Sequence, residues 1–327
     1  MAPKDDKLHI VQRSFGHSED DDDAFSLFHL DLGCPRINLK FPYSQGEYLD
    51  PPEYSELIGS DCGIVCVRFI VFESNAYRTD IYLWNPATRH SKRLPLPNMI
   101  NDDYTKTVSL GFGFDHIDLD FKVVRVVSGS RSRSVEVYSS SKNNWREIHL
   151  KSTYVPPRIS SEFCFKGFLI ALKDRSSMLT FDLNKEVFHC GIDLPVVSKP
   201  VVSFANRSSL FGTQTCVTEF KDTIAYIISI NDGKIDMWTL DDKDCLGGRG
   251  VKASWSKVHV IDLGAPLNLV QFIFSSAQFL VIEKDGRRIL YDLDEIVITE
   301  FSIYPYLKSH RFFKYGKSLF HLKDLNE

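Results

Sequence analysis

Leu110-Gly-Phe-Gly-Phe-Asp-His-Ile-Asp-Leu-Asp-Phe-Lys-Val-Val-Arg-Val-Val127 is the stretch whose reading decides the fold. Gly111 and Gly113 alternate with Phe112 and Phe114, so at the two-residue period of a strand the glycines share one face and the rings the other. A strand glycine marks close approach of another backbone, and two on one face point to an inner strand crowded by its neighbours. The polar run from Asp115 to Asp120 turns the chain, and Phe121 to Val127 resumes as a strand rich in β-branched residues. The unit is a hairpin.

Outward from it, strands that end in an acidic or amide residue and turn back recur along the chain. Ile81–Trp84 meets Asn85-Pro86 and returns through Lys92–Leu94; Asn bonds its own backbone ahead and Pro presets the next φ. Phe25–Leu30 returns through Ile37–Phe41, Val135–Tyr138 through Trp145–Leu150, and Met178–Phe181 through Val187–Leu194. Ile235–Leu240 returns through Trp255–Leu263 and Ile289–Tyr291 through Ile296–Ile303, making six hairpins. Aligned on Phe28, Trp84, Tyr138, Phe181, Trp238 and Tyr291, they step by 43 to 57 residues, against about 50 for a kelch blade and about 40–45 for a Trp-Asp blade. Further strands at Gly63–Ile70, Phe163–Leu172, Thr223–Ile230 and Phe272–Glu283 bring each unit to roughly four. Leu8–Val11 and Phe312–Leu322 read as strands that complete one blade from both termini, leaving no free edge. The expectation is an all-β, kelch-like propeller of six irregular blades over residues 8–327, behind a disordered segment 1–7. Two stacked β-sandwiches are the competing arrangement; no sustained 3.6-residue period supports a helical solenoid.

Composition agrees. Of 327 residues, 43% are hydrophobic and 13% aromatic, with 24 Phe and 13 Tyr, a bias toward strands. A net charge of -4 and pI near 6.2 argue against a general nucleic-acid binder, which needs a basic surface. Seven scattered cysteines, an odd number, fit a reducing compartment. Neither a signal peptide nor a window of 18 apolar residues is present, so no membrane is expected as a partner and the expected location is cytoplasmic.

Chemistry-bearing patterns are sparse. Cys62 and Cys66 share one face if they lie on one strand, but zinc needs four ligands and no second pair follows. The His residues form no His-Glu-x-x-His, no Gly-x-Ser-x-Gly occurs, and Gly111-Phe-Gly113 lacks the third glycine of a dinucleotide loop. Catalytic residues, metal ligands and cofactors are therefore all read as none. Two acidic clusters, Glu19, Asp20, Asp21, Asp22 and Asp23, and Asp241, Asp242 and Asp244, read either as solvated loops or as a surface that steers a basic partner. Arg131 and Arg133 read as an exposed turn or as interface anchors.

Four stretches together resemble the plant F-box-associated domain family. They are Leu57–Cys66, Leu83-Trp84-Asn85-Pro86-Ala87-Thr88-Arg89 with Leu94-Pro95, the Gly111 and Gly113 hairpin quoted above, and Val135–Tyr138 with Asn144-Trp145-Arg146. Asp61 stands where the family often carries Cys or Asn. The opening Gln12-Arg13-Ser14-Phe15 and the tail are most similar to the S-locus F-box branch, pollen proteins that recognise S-ribonucleases in self-incompatibility. The resemblance implies a non-catalytic substrate receptor of a Skp–cullin–F-box ubiquitin ligase, whose target is a protein and, on the branch reading, a basic S-ribonuclease. In the family a helical F-box ahead of this domain holds the Skp adaptor; here only Met1–Lys7 precede the first strand, so a fragment or truncated gene product without Skp binding is expected. The alternative reading is a propeller enzyme such as a carbohydrate-active hydrolase.

Overall fold

The computed structural model describes residues 8–12, 25–29, 37–39, 41, 54–73, 76–98, 107–129, 133–148, 163–174, 176–195, 214–229, 234–248, 250–262, 269–274, 278–283, 288–293, 298–300, 312–320 and 322. The segment 1–7, expected to be disordered, lies outside them. By clustering of contacts the chain divides into two compact units: residues 1–169, 183–186 and 309–327 form the first, and residues 170–182 and 187–308 the second.

Six four-stranded antiparallel sheets, each wound as a meander, make up the fold, the blade topology of the expected kelch-like propeller. The first joins β1 (Leu8–Gln12), β2 (Phe25–His29) and β3 (Ile37–Leu39) to the last strand of the chain, β24 (Phe312–Lys314), in the order β24-β1-β2-β3. His9 pairs with Lys314 and Val11 with Phe312, so both termini share one sheet. Next come β4 (Tyr54–Asp61), β5 (Ile64–Glu73), β6 (Ala76–Asn85) and β7 (His90–Arg93), followed by β8 (Thr107–Asp115), β9 (Asp120–Ser128), β10 (Arg133–Ser139) and β11 (Asn144–Glu147). The fourth sheet holds β12 (Phe163–Phe165), β13 (Phe168–Leu172), β14 (Ser177–Asp182) and β15 (Val187–Asp193). The fifth holds β16 (Gln214–Phe220), β17 (Thr223–Ser229), β18 (Lys234–Leu240) and β19 (Trp255–Asp262). The sixth holds β20 (Leu269–Phe274), β21 (Gln278–Glu283), β22 (Arg288–Asp292) and β23 (Ile298–Glu300). Among the described residues the one helix is a single 3₁₀ turn, Lys243–Gly247, in the β18–β19 connection.

Two turn designs repeat. Cys62-Gly63, Lys166-Gly167 and Lys221-Asp222 each place two successive residues at positive φ, the type I′ geometry whose twist matches the flanking strands. The connections after Asn85, Asp115, Ser139 and Asp182 instead run four residues and end on one left-handed residue, Arg89, Leu119, Asn143 or Glu186. Asn85 Oδ1 accepts the N–H groups of Ala87 (2.9 Å) and Thr88 (3.4 Å), and Asp115 Oδ1 those of Ile117 (2.9 Å) and Asp118 (3.2 Å). The side chain thus replaces the backbone partners that the turn removes.

In the first unit the sheet β4–β7 is buried on both faces. Val65, Val67, Phe69, Tyr82 and Trp84 join one core cluster with Phe25, Phe41 and Tyr315, where Phe41 lies 4.9 Å from Phe69 and 5.2 Å from Trp84, ring centre to ring centre. Ile64, Cys66, Ile81 and Leu83 face the other way, into a cluster with Phe112, Phe121, Tyr138, Trp145 and Leu322. That two-sided burial is why Ile64–Val67 of β5 and Ile81–Trp84 of β6 read as apolar runs rather than alternating ones.

Some expectations need correction. Trp84, Tyr138 and Phe181 occupy equivalent buried places one residue before the strand end, whereas Trp238, two residues before the end of β18, is half-buried beside the buried Met237 and faces a bulge at Val258 of β19. Cys62 and Cys66 share no strand face, since Cys62 is exposed in a turn and Cys66 is buried in β5. Phe163–Leu172 and Phe272–Glu283, read as single strands, are each two.

Gly113 is crowded by side chains rather than by another backbone. The first strands β4, β8 and β12 pack on one another, and Asp61 Oδ2 accepts the Phe114 N–H at 2.9 Å, tying β4 to β8. A Cβ at Gly113 would sit 2.3 Å from Cys164 Sγ and 2.9 Å from Leu183 Cδ1, whereas one at Gly59 would come no closer than 3.4 Å to Phe112. Gly113→Val should therefore cost about 3 kcal/mol, the upper end for overpacking, and Gly59→Ala less than about 1 kcal/mol. Urea unfolding midpoints of the two variants should rank in that order; equal midpoints would refute the crowding.

Candidate functional site: the turn end of the first unit

Antiparallel alternation sends the first-to-second and third-to-fourth connections of every sheet to the same end. In the first unit that end carries the turns at residues 62–63, 86–89, 116–119 and 140–143, together with the tail from Tyr315 to Leu322. The decisive hairpin supplies its electrostatic centre. Lys122, buried at its Nζ end, donates to Asp115 Oδ2 (2.8 Å) and to the Leu183 carbonyl (2.8 Å), with Glu186 at 3.5 Å and Asp118 at 3.6 Å. Arg146 pairs with Glu186 at the rim. Asp120 works in parallel: its carboxylate accepts from Ser139 Oγ (2.5 Å), Ser140 Oγ (2.6 Å) and the Ser141 N–H (2.8 Å), binding one turn to the next.

These surroundings set the titration behaviour. Burial works to raise the Asp115 pKa, but Lys122 and the N–H groups of Ile117 and Asp118 outweigh it and hold the carboxyl below its ordinary value. Burial likewise works to lower Lys122, and Asp115, Glu186 and Asp118 reverse it, leaving the amine above its ordinary value. Burial and then the charge of Asp120 push the Tyr138 phenol up; its hydroxyl donates to Asn143 Oδ1 at 3.0 Å. A carboxyl held low in the folded state contributes stability that is present above its unfolded pKa and lost as pH falls through the folded value.

The tail crosses this end as a strap. Asn85 Nδ2 donates to the carbonyls of Ser318 (3.0 Å) and Phe320 (2.7 Å), and the Phe320 ring lies 5.4 Å from that of Phe121. Leu322 is buried, while Leu319 stands 83% exposed beside Ile117 and Leu119 as further exposed apolar residues at this end.

The expected partner-binding residues fall elsewhere. Glu19, Asp20, Asp21, Asp22, Asp23 and Arg131 lie outside the described residues. Arg133 opens β10 at the opposite end and is exposed. Asp241, Asp242 and Asp244 are exposed in the second unit, but two of them serve their own loop: Asp241 Oδ2 accepts from Ser254 Oγ at 2.7 Å and Asp242 caps the 3₁₀ turn through the Asp244 N–H at 2.8 Å. Trp84, Pro86, Gly111 and Gly113 are buried, and Trp145 is buried with its Nε1 donating to the Pro95 carbonyl at 2.8 Å. The residues missed were Asp61, Asp120, Lys122 and Ser140; Asp120 and Lys122 stood in the quoted stretch, one residue apart, as charges inside a strand that otherwise reads apolar.

In the second unit a cavity of about 280 Å³ lies between β15 and the β18–β19 connection, lined by His189, Cys190, Asp193, Cys245 and Lys252 among others. Trp255 Nε1 donates to the Asp193 carbonyl (2.8 Å) and Thr180 Oγ1 to the Leu246 carbonyl (2.8 Å), fixing the connection over the strand. Burial pushes the Cys190 thiol up and that of Cys245 to about 11, so neither is poised as a thiolate. Among the described residues no group of three or more His, Cys, Asp or Glu could hold a metal ion, and no helix is long and apolar enough to cross a membrane.

The model of the F-box associated beta propeller domain matches residues 44–287. The chain belongs to that family. An F-box protein of Arabidopsis thaliana is 27% identical over 266 residues, covering 72% of this chain and 56% of its own length. The Arabidopsis F-box protein CPR1 is 24% identical over 279 residues, 76% of this chain and 61% of its own. The chain thus spans a little over half the length of both. Among solved structures, TolB from Acinetobacter baumannii aligns with 94% of this chain and 65% of its own at a TM-score of 0.47 and 11% identity.

Asp115→Asn keeps the oxygen that caps the turn and removes the charge facing Lys122. It should destabilise the protein by about 3 kcal/mol, the low end for breaking a buried ion pair, because Glu186 and Asp118 still face the amine. Thermal unfolding at neutral pH should show the loss; at a pH below the folded Asp115 pKa the parent should approach the variant.

Proposed function

We propose that residues 8–327 act as the target-holding domain of a substrate receptor in a Skp–cullin–F-box ubiquitin ligase, in the cytoplasm. The family match over residues 44–287 carries this reading. The fate of the buried carboxylates favours it over a propeller hydrolase: Asp115 pairs with Lys122, Glu136 with Arg125 at 2.5 Å and Asp80 with Arg93 at 2.6 Å, and Asp120 holds serines. Acid–base work on a glycoside needs two carboxylates free to exchange protons across a cleft, and these are committed to holding turns and strands together. The turn end of the first unit is taken up by clamps and strap, so target recognition falls to other surfaces, the exposed Asp241–Asp244 loop of the second unit among them.

The finer reading follows the resemblance to the S-locus F-box branch. The target is then a basic ribonuclease, drawn by a net charge of -4 and by the acidic runs Glu19–Asp23 and Asp241–Asp244. Converting Asp20, Asp21, Asp22 and Asp23 to Asn should slow association with such an enzyme at low salt and leave dissociation nearly unchanged. The difference should fade above physiological ionic strength, where the Debye length drops below about 8 Å. Association rates indifferent to both substitution and salt would remove the steering role and the ribonuclease reading with it.

The receptor reading has its own test. The 327-residue chain by itself should not co-elute with a Skp adaptor in a micromolar two-component mixture, whereas the same chain joined behind an F-box should. Among the described residues there is no amphipathic helix to dock on the adaptor. Co-elution of the unfused chain would overturn the division of labour.

A further inference from the structure

We infer that the turn end of the first unit is a peptide-binding site, occupied in cis by the chain's own tail, that takes in trans an extended peptide carrying a Phe-x-Leu pair. The tail is held in the manner of a ligand. Residues 315–320 lie in no strand, and their backbone is read by one side chain: Asn85 Nδ2 uses both hydrogens on the Ser318 and Phe320 carbonyls, 3.0 and 2.7 Å away. Because Asn85 Oδ1 is fixed by the N–H groups of Ala87 and Thr88, the donor pair stays aimed outward whether or not a chain lies across it. Carbonyls two residues apart on one side are what an extended peptide presents.

Side chains supply the selectivity. Phe320 packs against Phe121, and Leu322, 2% exposed, enters the cluster that holds Ile64 and Phe112. Gly63 makes the seat close enough, since a Cβ there would stand 2.2 Å from Ser318 Cβ and 2.7 Å from the Gly316 carbonyl. Lys317 and Leu319 are exposed, and so is part of Phe320, so the strap is gripped through Tyr315, the Ser318 and Phe320 carbonyls, one edge of Phe320 and Leu322. The stretch 316–320 makes no strand pairing, so it can lift without unfolding the sheets beneath it. In the resting chain it is nonetheless hard to displace, because a tethered ligand has an effective concentration of order millimolar.

The site is separate from the target-binding surfaces proposed above, and its test stands apart from that reading. Full-length chain carrying Leu322→Ala should bind a labelled heptapeptide of residues 316–322, Gly-Lys-Ser-Leu-Phe-His-Leu, saturably by fluorescence anisotropy. The parent, its site filled, should bind at least about tenfold more weakly. Adding Asn85→Asp should abolish binding, since a carboxylate keeps the acceptor that caps the turn but faces the peptide carbonyls with oxygen. Asn85→Asp alone should release the strap, seen as several-fold faster tryptic cleavage after Lys317 with an unchanged far-ultraviolet circular dichroism spectrum. Cleavage at the parent's rate in that variant would overturn the inference even if Leu322→Ala fails to fold. So would a folded Leu322→Ala chain that leaves the peptide free.

Discussion

The sheet β4–β7 must bury two faces, and much of the first unit follows from this constraint. A strand segment flanked on both sides does not alternate apolar with polar residues, so Ile64–Val67 of β5 and Ile81–Trp84 of β6 are apolar throughout. With both faces apolar, such segments cannot fix register by their pattern. Register is set instead at the strand ends, by Asn85 and Asp115 capping their own turns and by Asp120 gathering three serine groups. Two charge pairs inside are matched across strands, Glu56 with Arg68 and Glu136 with Arg125, because an unpaired charge there would carry the full cost of desolvation.

This division of labour explains what the sequence disclosed. Turns announced themselves because Asn85-Pro86 and the Asp115–Asp120 run are local chemistry, legible from a few neighbours. The crowding at Gly113 was legible too, since only a missing side chain lets β8 approach Cys164 so closely. The bulge opposite Met237 and Trp238 was not: it adds one unpaired residue, Val258, to β19, and nothing near Trp238 marks it. Strands β4 and β16 were overlooked as strands because polar residues such as Glu56, Ser60, Gln214 and Thr218 interrupt their apolar pattern.

The candidate site was less visible than the fold, for a physical reason. Sequence reading looks for charge runs, and here the exposed ones at Asp241 and Asp242 serve their own loop. The residues that organise the turn end are single charges inside apolar strands, Lys122 and Asp120, and an asparagine whose partners lie more than 200 positions away. Only the fold brings Asn85 to Ser318. A motif such as Trp-Asn-Pro can therefore persist for two reasons at once, one local to its turn and one belonging to the far end of the chain.

The pairing of β1 with β24 also sets a timetable. Residues 9 and 314 must meet before the first sheet is whole, and they emerge from the ribosome some 15–60 s apart at about 5–20 residues per second. Throughout that interval β1 lacks its β24 partner, and the core cluster that Phe25 and Leu27 of β2 form with β5 and β6 lacks Phe313 and Tyr315. Elements built from neighbouring hairpins, such as β8–β11, can form as they appear, while the terminal sheet waits for the last residues to be made. Completion of this sheet is thus coupled to synthesis of residues 312–314, and a nascent chain that stalls before them carries an open edge on β1 for chaperones to cover.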